Sequence, residues 1–176
     1  MEYKPLEERG QVVDKDPYFT LMSDRDGVGF VQCGDGVLVV PLTGDEEVLM
    51  IVERSPAFDE DVLTLVGGEI EAGEQLENTA NRELQEELGW RAEKLDFIAE
   101  LRPFSKYLNS RQFVFLARQL TPSKLEGDET YPIRQRKVAL SSFEMLCSSG
   151  ELKDAVAISA LYMVRSWLDG NLGQSD

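Results

Sequence analysis

The chain has 176 residues, 42% of them hydrophobic, which predicts one globular domain over residues 1–176 with a substantial core. It contains no histidine, so mechanisms that need an imidazole base, nucleophile or metal ligand are excluded. The net charge of −15 argues against nucleic acid as a partner, and no apolar run is long enough to span a bilayer.

Cysteine usage and the amino terminus indicate the compartment. Cys33 and Cys147 lie far apart in sequence and suggest neither a zinc site nor a disulfide framework. The first ten residues are charged and do not lead into an apolar segment, unlike a secretory signal. These features predict an unexported, cytoplasmic protein with no membrane partner.

Short β-rich runs dominate the start of the chain and predict an amino-terminal β region over residues 1–45. Two of these runs, 28–33 and 36–42, flank the sequence Gly34-Asp35-Gly36, which predicts a hairpin-like junction. A further strand is predicted at 48–52. The sequence therefore places several strands before the first helix.

Strands and helices are interleaved in the rest of the chain. Further strands are predicted at 95–101, 112–117 and 138–140. Helices are predicted at 142–147 and 154–168, the second within a carboxy-terminal helical region at 151–170. This order predicts the α/β class, with a mixed β-sheet sandwiched between helices.

The segment from residue 67 to 90 reads GGEIEAGEQLENTANRELQEELGW and predicts an amphipathic helix over 75–88. Apolar residues recur every four positions along it, and Gly89 follows as a stop signal. On a helix, Glu83, Glu86 and Glu87 fall within an arc of about 100°, beside the apolar stripe. Three carboxylates therefore share one face.

Clustered carboxylates repel one another, so this face calls for a cation. Hard oxygen ligands suit Mg²⁺ or Mn²⁺ rather than zinc or copper. Arg82 lies four residues before Glu86 and is placed to hold that carboxylate, while Glu74 lies near the helix start. Gly67 and Gly68 allow the backbone before the helix to approach a ligand closely. A solvated acidic helix without metal is the alternative.

These residues match the signature of the Nudix hydrolases, which the chain therefore resembles. The pattern begins at Gly68, places Glu74 after five residues, and continues through Arg82-Glu83-Leu84, Glu86-Glu87 and Gly89 to the apolar Trp90. A pattern with so many specified positions in fixed register is far more specific than a glycine motif alone. The resemblance implies the Nudix fold, a box at 68–90 and an amino-terminal β extension.

The resemblance also implies roles for the box residues. Glu83 and Glu87 would be direct metal ligands, Glu86 would assist directly or through water, and the Gly67 or Gly68 carbonyl is a further candidate. Arg82 and Glu74 would support them. Such a metal screens the phosphate charge and orients the attacking water.

A general base in family members that cleave ADP-ribose often comes from a loop after the box. The acidic loop at 125–130 has that location, with Glu129 favoured as base or extra ligand and Glu126 second. An acidic surface loop without catalytic function is the open alternative.

Beyond the box, the chain resembles the ADP-compound hydrolases in the loop LEGDE at 125–129 and in the last helical region, from Ser159-Ala160-Leu161 through Val164-Arg165 to Trp167-Leu168 and Gly170. The pyrophosphatases of ADP-ribose and nucleoside diphosphate sugars are looser relatives by the same resemblance. The resemblance implies a small nucleotide substrate, such as ADP-ribose, diadenosine oligophosphates or NADH, with release of AMP from a homodimeric enzyme. Arg54, Phe104 and Tyr107 are candidates for substrate contacts. Thr64 stands at the position before the box where many ADP-ribose enzymes have a glutamate.

Two other functions stay open on the sequence. One is a pyrophosphatase for nucleoside triphosphates or other nucleoside diphosphate sugars. The other is a Nudix-like sensor that binds a nucleotide without cleaving it, against which the intact glutamates argue.

Overall fold

The computed structural model describes residues 11–15, 19–127 and 131–172. Its strands are β1 (Gln11–Lys15), β2 (Thr20–Ser23), β3 (Gly29–Gln32), β4 (Gly36–Pro41), β5 (Glu47–Ser55), β6 (Glu60–Thr64), β7 (Val66–Glu69), β8 (Trp90–Leu101), β9 (Leu108–Asn109), β10 (Gln112–Pro122) and β11 (Arg134–Ala139). Its helices are α1 (Leu76–Glu83), continued by a π-helical turn (Leu84–Leu88), then α2 (Phe143–Ser149) and α3 (Ala155–Leu168).

Three sheets make up the β structure. The central sheet has the order β7-β4-β10-β8 and is mixed, because β4 and β10 run parallel while the other pairs are antiparallel. A second sheet has the order β11-β5-β6, and the amino-terminal sheet has the order β1-β2-β3-β9. Of the predicted amino-terminal β region (1–45), residues 11–15 and 19–45 are described and contain β1 to β4, whereas 1–10 and 16–18 lie outside the described residues.

Helices cover both faces of the central sheet. Alternate residues of a strand point to opposite faces, and β4 follows this rule: Val37 and Val39 pack with the core beneath α1, whereas Leu38 and Val40 pack with the core beneath α3. Strand β10 divides its Phe and Val side chains between the two cores in the same way. The prediction of a mixed sheet between helices is confirmed.

The box helix has its apolar stripe on the sheet, as the spacing predicts. Leu76, Ala80 and Leu84 are buried at 0–1% exposure. The side chain of Asn81 fixes the helix to β8, because its Nδ2 donates to the Ala92 carbonyl at 3.2 Å and its Oδ1 accepts from the Ala92 N–H at 2.8 Å. This pair of hydrogen bonds fixes the position of the helix, and so of the face that carries the glutamates, relative to the sheet.

The junction at Gly34-Asp35-Gly36 is not a hairpin, and that prediction was wrong. Strand β3 pairs with β2 and β9, whereas β4 pairs with β7 and β10, so the chain changes sheets at this point. Long-range contacts fix the change, since the Gly36 N–H donates to the Arg111 carbonyl at 2.9 Å. Glycine and aspartate marked the bend without specifying which strands would pair.

Within the described part of the chain, no helix combines the length and hydrophobicity needed to cross a membrane.

Replacing Asn81 by Ala is expected to lower the free energy of unfolding by about 2 kcal/mol, because the buried Ala92 backbone loses both partners. Urea denaturation at neutral pH measures the change. Asn78→Ala is the matched control, since Asn78 is exposed on the same helix. Equal midpoints for the two variants would contradict the role given to Asn81.

Candidate active site

A tight turn delivers the chain from β7 into the box helix. The Glu74 N–H donates to the Glu71 carbonyl at 3.0 Å, and Gly73 within the turn has a φ of 84°, a region that favours glycine. Gln75 is extended, and α1 begins at the next residue. The turn therefore brings Glu74 back beside the helix face that carries the other glutamates.

Arg82 is the centre of the site. Its Nε and Nη2 contact the two carboxylate oxygens of Glu74 at 3.2 and 3.1 Å, and Nη2 also donates to the Glu69 carbonyl at 3.0 Å. Its Nη1 reaches Glu83 Oε1 at 2.7 Å and Glu86 Oε2 at 3.2 Å. One guanidinium thus gathers three carboxylates and the end of β7, which confirms the predicted contact with Glu86.

The ionisation of Glu74 and Arg82 follows from this contact. Burial alone would raise the pKa of Glu74, but the hydrogen bonds from Arg82 and Thr79 outweigh it and lower that pKa below its usual value. Hydrogen bonding to Glu74 is also the main cause that raises the pKa of Arg82. The pair is therefore fully charged at neutral pH.

Gly68 and Glu83 are in close contact. A Cβ at Gly68 would lie 2.1 Å from Glu83 Oε1, so a side chain at this position would displace the Glu83 carboxylate. The Glu83 carboxylate is only 8% exposed and lies directly against the backbone at the end of β7. The predicted metal ligands Glu83 and Gly68 are therefore neighbours.

The π-helical turn carries the remaining box glutamates. Glu86 and Glu87 lie within it and are half-buried, and the turn ends at Gly89, which has a φ of 74°. Single π-helical turns inside helices are frequent at functional sites. Here the turn places Glu86 beside Arg82.

The segment that leads to the acidic loop is anchored along this turn. The Ser123 N–H donates to the Gly89 carbonyl at 2.9 Å, and the buried Gln85 side chain donates to Ser123 Oγ at 2.8 Å. Lys124 Nζ contacts the Glu86 carbonyl. Glu126 is exposed just beyond these contacts, and Glu129 lies outside the described residues.

A cavity of about 420 Å³ lies beside the segment at 67–75 that leads into the box helix, which we call the box loop. It is lined by Gly67 and Gly68 and by polar residues that the sequence analysis did not select: Asp35, Glu53, Glu69, Gln112 and Asp154. Thr64, which was noted only as a departure from a family pattern, also lines it and donates to Asp154 Oδ2 at 2.8 Å. In the structure Asp154 caps α3, because its side chain accepts from the Val156 and Ala157 N–H groups.

The three candidate substrate contacts do not lie together in this cavity. Arg54 pairs with Asp59 and lines a separate cavity of about 940 Å³ between β5, β6 and the start of α3. Phe104 and Tyr107 are exposed and contact each other, with ring centroids 5.4 Å apart. They follow Pro103, which does line the smaller cavity.

The donor chemistry of the site fits a hard divalent cation, since Glu83, Glu86, Glu87 and the Gly68 carbonyl all offer oxygen. Among the described residues, no three acidic or cysteine side chains are already arranged to hold a metal. Arg82 Nη1 contacts both Glu83 and Glu86. A cation at these glutamates would share them with, or displace, that guanidinium.

Comparison with known proteins identifies the family. The NUDIX domain model matches residues 34–155, so the chain belongs to the Nudix family and is a Nudix hydrolase. It is 34% identical to the ADP compounds hydrolase NudE of Escherichia coli strain K12 over 77% of this chain and 73% of that protein. It is 30% identical to the ADP-ribose pyrophosphatase of Bacillus subtilis strain 168 over 71% and 69% of the two chains.

Among solved structures, a crystal structure of an ADP compounds hydrolase matches with a TM-score of 0.78 and 30% identity, covering 98% of each chain. The fold expected from the box is therefore confirmed across nearly the whole chain. Nudix hydrolases generally use divalent metals.

Gly68→Ala is expected to reduce turnover about 100-fold, because the new methyl group must displace the Glu83 carboxylate. Steady-state hydrolysis of a nucleotide diphosphate substrate measures it. Gly44→Ala is the control, since a Cβ there meets nothing within 4 Å. Unchanged turnover in Gly68→Ala would show that the close contact has no part in catalysis.

Proposed function

We propose that the protein hydrolyses the diphosphate linkage of ADP-linked compounds and releases AMP, with Mg²⁺ or Mn²⁺ as cofactor. Candidate substrates are ADP-ribose, diadenosine oligophosphates and NADH. The observation that carries the proposal is the gathering of Glu74, Glu83 and Glu86 around Arg82, next to Gly68 and a cavity. The names of the two similar curated enzymes support the substrate class.

Each box residue has a proposed task. Glu83 and Glu87 bind the cation directly, Glu86 does so directly or through water, and the Gly68 carbonyl completes the oxygen donors. When bound, the cation neutralises the diphosphate and lowers the pKa of the attacking water. Arg82 holds the carboxylates in place. Its positive charge also offsets part of the negative charge that an anionic substrate meets on this strongly acidic protein.

The proton of the attacking water needs an acceptor. Glu129 is the proposed base, with Glu126 as the second candidate. Anchoring of residues 123–125 along the π-helical turn supports this assignment, because it brings the described start of the loop to that end of the box helix.

The nucleotide itself is proposed to contact Arg54, Phe104 or Tyr107. Phe104 directly follows Pro103, which lines the smaller cavity, and its exposed ring contacts the exposed Tyr107 ring, which supports a stacking role. Glu53 and Asp154 line both cavities, so a long substrate that fills the first would meet Arg54 only by extending into the second.

A substrate panel with product identification tests the function. ADP-ribose with Mg²⁺ should give AMP and ribose 5-phosphate, and Glu87→Gln should slow this reaction on the order of 100-fold or more. Glu77→Gln, an exposed position on the same helix, should leave the rate unchanged.

Other results of the same panel would replace the proposal. Release of pyrophosphate from a nucleoside triphosphate, with ADP-ribose untouched, would assign the enzyme to another Nudix substrate class. Tight binding of ADP-ribose without AMP release would indicate a sensor.

The proposed assembly is a homodimer in which the second copy packs against the amino-terminal sheet. All five residues of β1 are exposed, and Val12 and Val13, at a β-bulge in this strand, are 62% and 61% exposed. An edge strand with exposed apolar residues is a natural pairing surface for a second copy.

Val13→Asp is expected to convert a dimer into a monomer, as measured by light scattering after gel filtration. Met145→Asp is the control, because Met145 is 72% exposed on α2, away from that sheet. A monomeric wild-type protein, or a dimer that both variants preserve, would reject this surface.

The proposed location is the cytoplasm. The wide sequence spacing of Cys33 and Cys147, which suggests no disulfide framework, supports a reducing compartment.

A further inference from the structure

A buried ion pair lies where the chain changes sheets, at the base of the box loop. The Asp35 carboxylate is 3% exposed and the Arg111 side chain 15%. Arg111 Nε and Nη2 contact Asp35 Oδ2 at 3.1 and 2.6 Å, and the Arg111 N–H donates to Asp35 Oδ1 at 2.8 Å. The Arg111 guanidinium also lies 5.2 Å from the centroid of the Phe113 ring.

Backbone hydrogen bonds connect this pair to three segments. The Gly36 N–H donates to the Arg111 carbonyl at 2.9 Å, and Ser110 Oγ donates to the Gly34 carbonyl at 2.7 Å. The Asp35 carbonyl accepts from the Ile70 N–H at 3.0 Å. The pair therefore joins the start of β4 and the start of β10 to the end of β7.

Close contacts also connect the segment around Asp35 to the proposed metal ligands. A Cβ at Gly34 would lie 2.2 Å from Glu69 Oε1, and one at Gly36 would lie 2.8 Å from the Gly68 carbonyl oxygen. Gly68 in turn contacts the Glu83 carboxylate, and the Glu69 carbonyl accepts from Arg82. The Gly36 contact is with the backbone of Gly68, which cannot give way as a side chain can, and β4 is also paired with β7 at this point, so a shift at Asp35 and Gly36 is expected to reach Gly68.

We propose that Asp35 and Arg111 are positioning residues, which hold the Gly68 carbonyl and the Glu83 carboxylate at the spacing that a divalent cation requires. This inference rests on the proposed metal-dependent function. It assigns a task to two residues outside the box, neither of which touches the cation or the reacting phosphorus.

The energetics of buried ion pairs favour such a task over a purely stabilising one. Desolvation of two charges offsets much of their attraction, so a buried pair contributes little net stability while it fixes one geometry. Loss of one partner leaves a buried charge uncompensated, whereas loss of both is tolerated better. Stability and metal affinity should therefore respond differently to single and double substitution.

Mn²⁺ binding to the full-length protein, followed by electron paramagnetic resonance of the free ion, tests the proposal without substrate. The variants are Asp35→Asn, Arg111→Gln and the double variant. All three should weaken Mn²⁺ binding about 10-fold. In thermal unfolding, the double variant should have a higher midpoint temperature than either single variant. Its Mn²⁺ affinity should nevertheless stay as weak as theirs.

The pair formed by Asp96 and Arg118 is the matched control. Arg118 lies on β10, contacts Asp96 on β8 at 2.5 Å and is also partly buried. Asp96→Asn and Arg118→Gln should lower stability but change Mn²⁺ affinity less than about 2-fold, because β4 and β10 lie between β8 and β7 in the central sheet. Equal loss of Mn²⁺ affinity in both pairs would overturn the proposal.

Arg111→Lys keeps the charge and the fold while losing the two-pronged contact, so it should weaken Mn²⁺ binding in the same direction by a smaller factor. Unchanged Mn²⁺ affinity in this folded variant and in the double variant would also overturn the proposal. If wild type binds Mn²⁺ and cleaves ADP-ribose, such a result counts against the positioning role alone. If wild type binds no Mn²⁺, the proposed function fails together with this inference.

Discussion

The site depends on how one arginine holds several carboxylates. Arg82 contacts Glu74, Glu83 and Glu86 and also the carbonyl of Glu69 at the end of β7. Without that positive charge, partly buried glutamates on adjacent turns would repel one another and separate. The contact also ties the helix to the loop before it. The arginine therefore stabilises an arrangement of oxygen atoms that a bare acidic helix would not keep.

Backbone packing places this charge cluster in the fold. The apolar stripe of α1 and the hydrogen bonds of Asn81 hold the helix against the central sheet, while closely packed glycines bring β7 against the Glu83 carboxylate. The π-helical turn then presents Glu86 beside Arg82 and the segment that leads to the acidic loop. The smaller cavity is lined by β7 at Gly67, Gly68 and Glu69, and the Glu83 carboxylate of the box helix packs against Gly68.

The helix, its polar face and the family were predictable because their signals are local. A four-residue apolar repeat and a motif of fixed spacing need no knowledge of distant contacts. The hairpin at Gly34-Asp35-Gly36 was predicted wrongly because strand pairing is long-range, and β7 was missed because Gly67 and Gly68 lower its β propensity. Glu53 and Asp154 reach the cavity only through folding of segments far apart in sequence.

The central claim is that carboxylates on the box helix bind a divalent cation next to Gly68. Anomalous diffraction from crystals soaked in Mn²⁺ with a non-hydrolysable ADP-ribose analogue tests it most directly. The expected result is a manganese peak about 2.2 Å from carboxylate oxygens of Glu83 and Glu87. A data set with the nucleotide bound and no manganese at these glutamates would contradict the account.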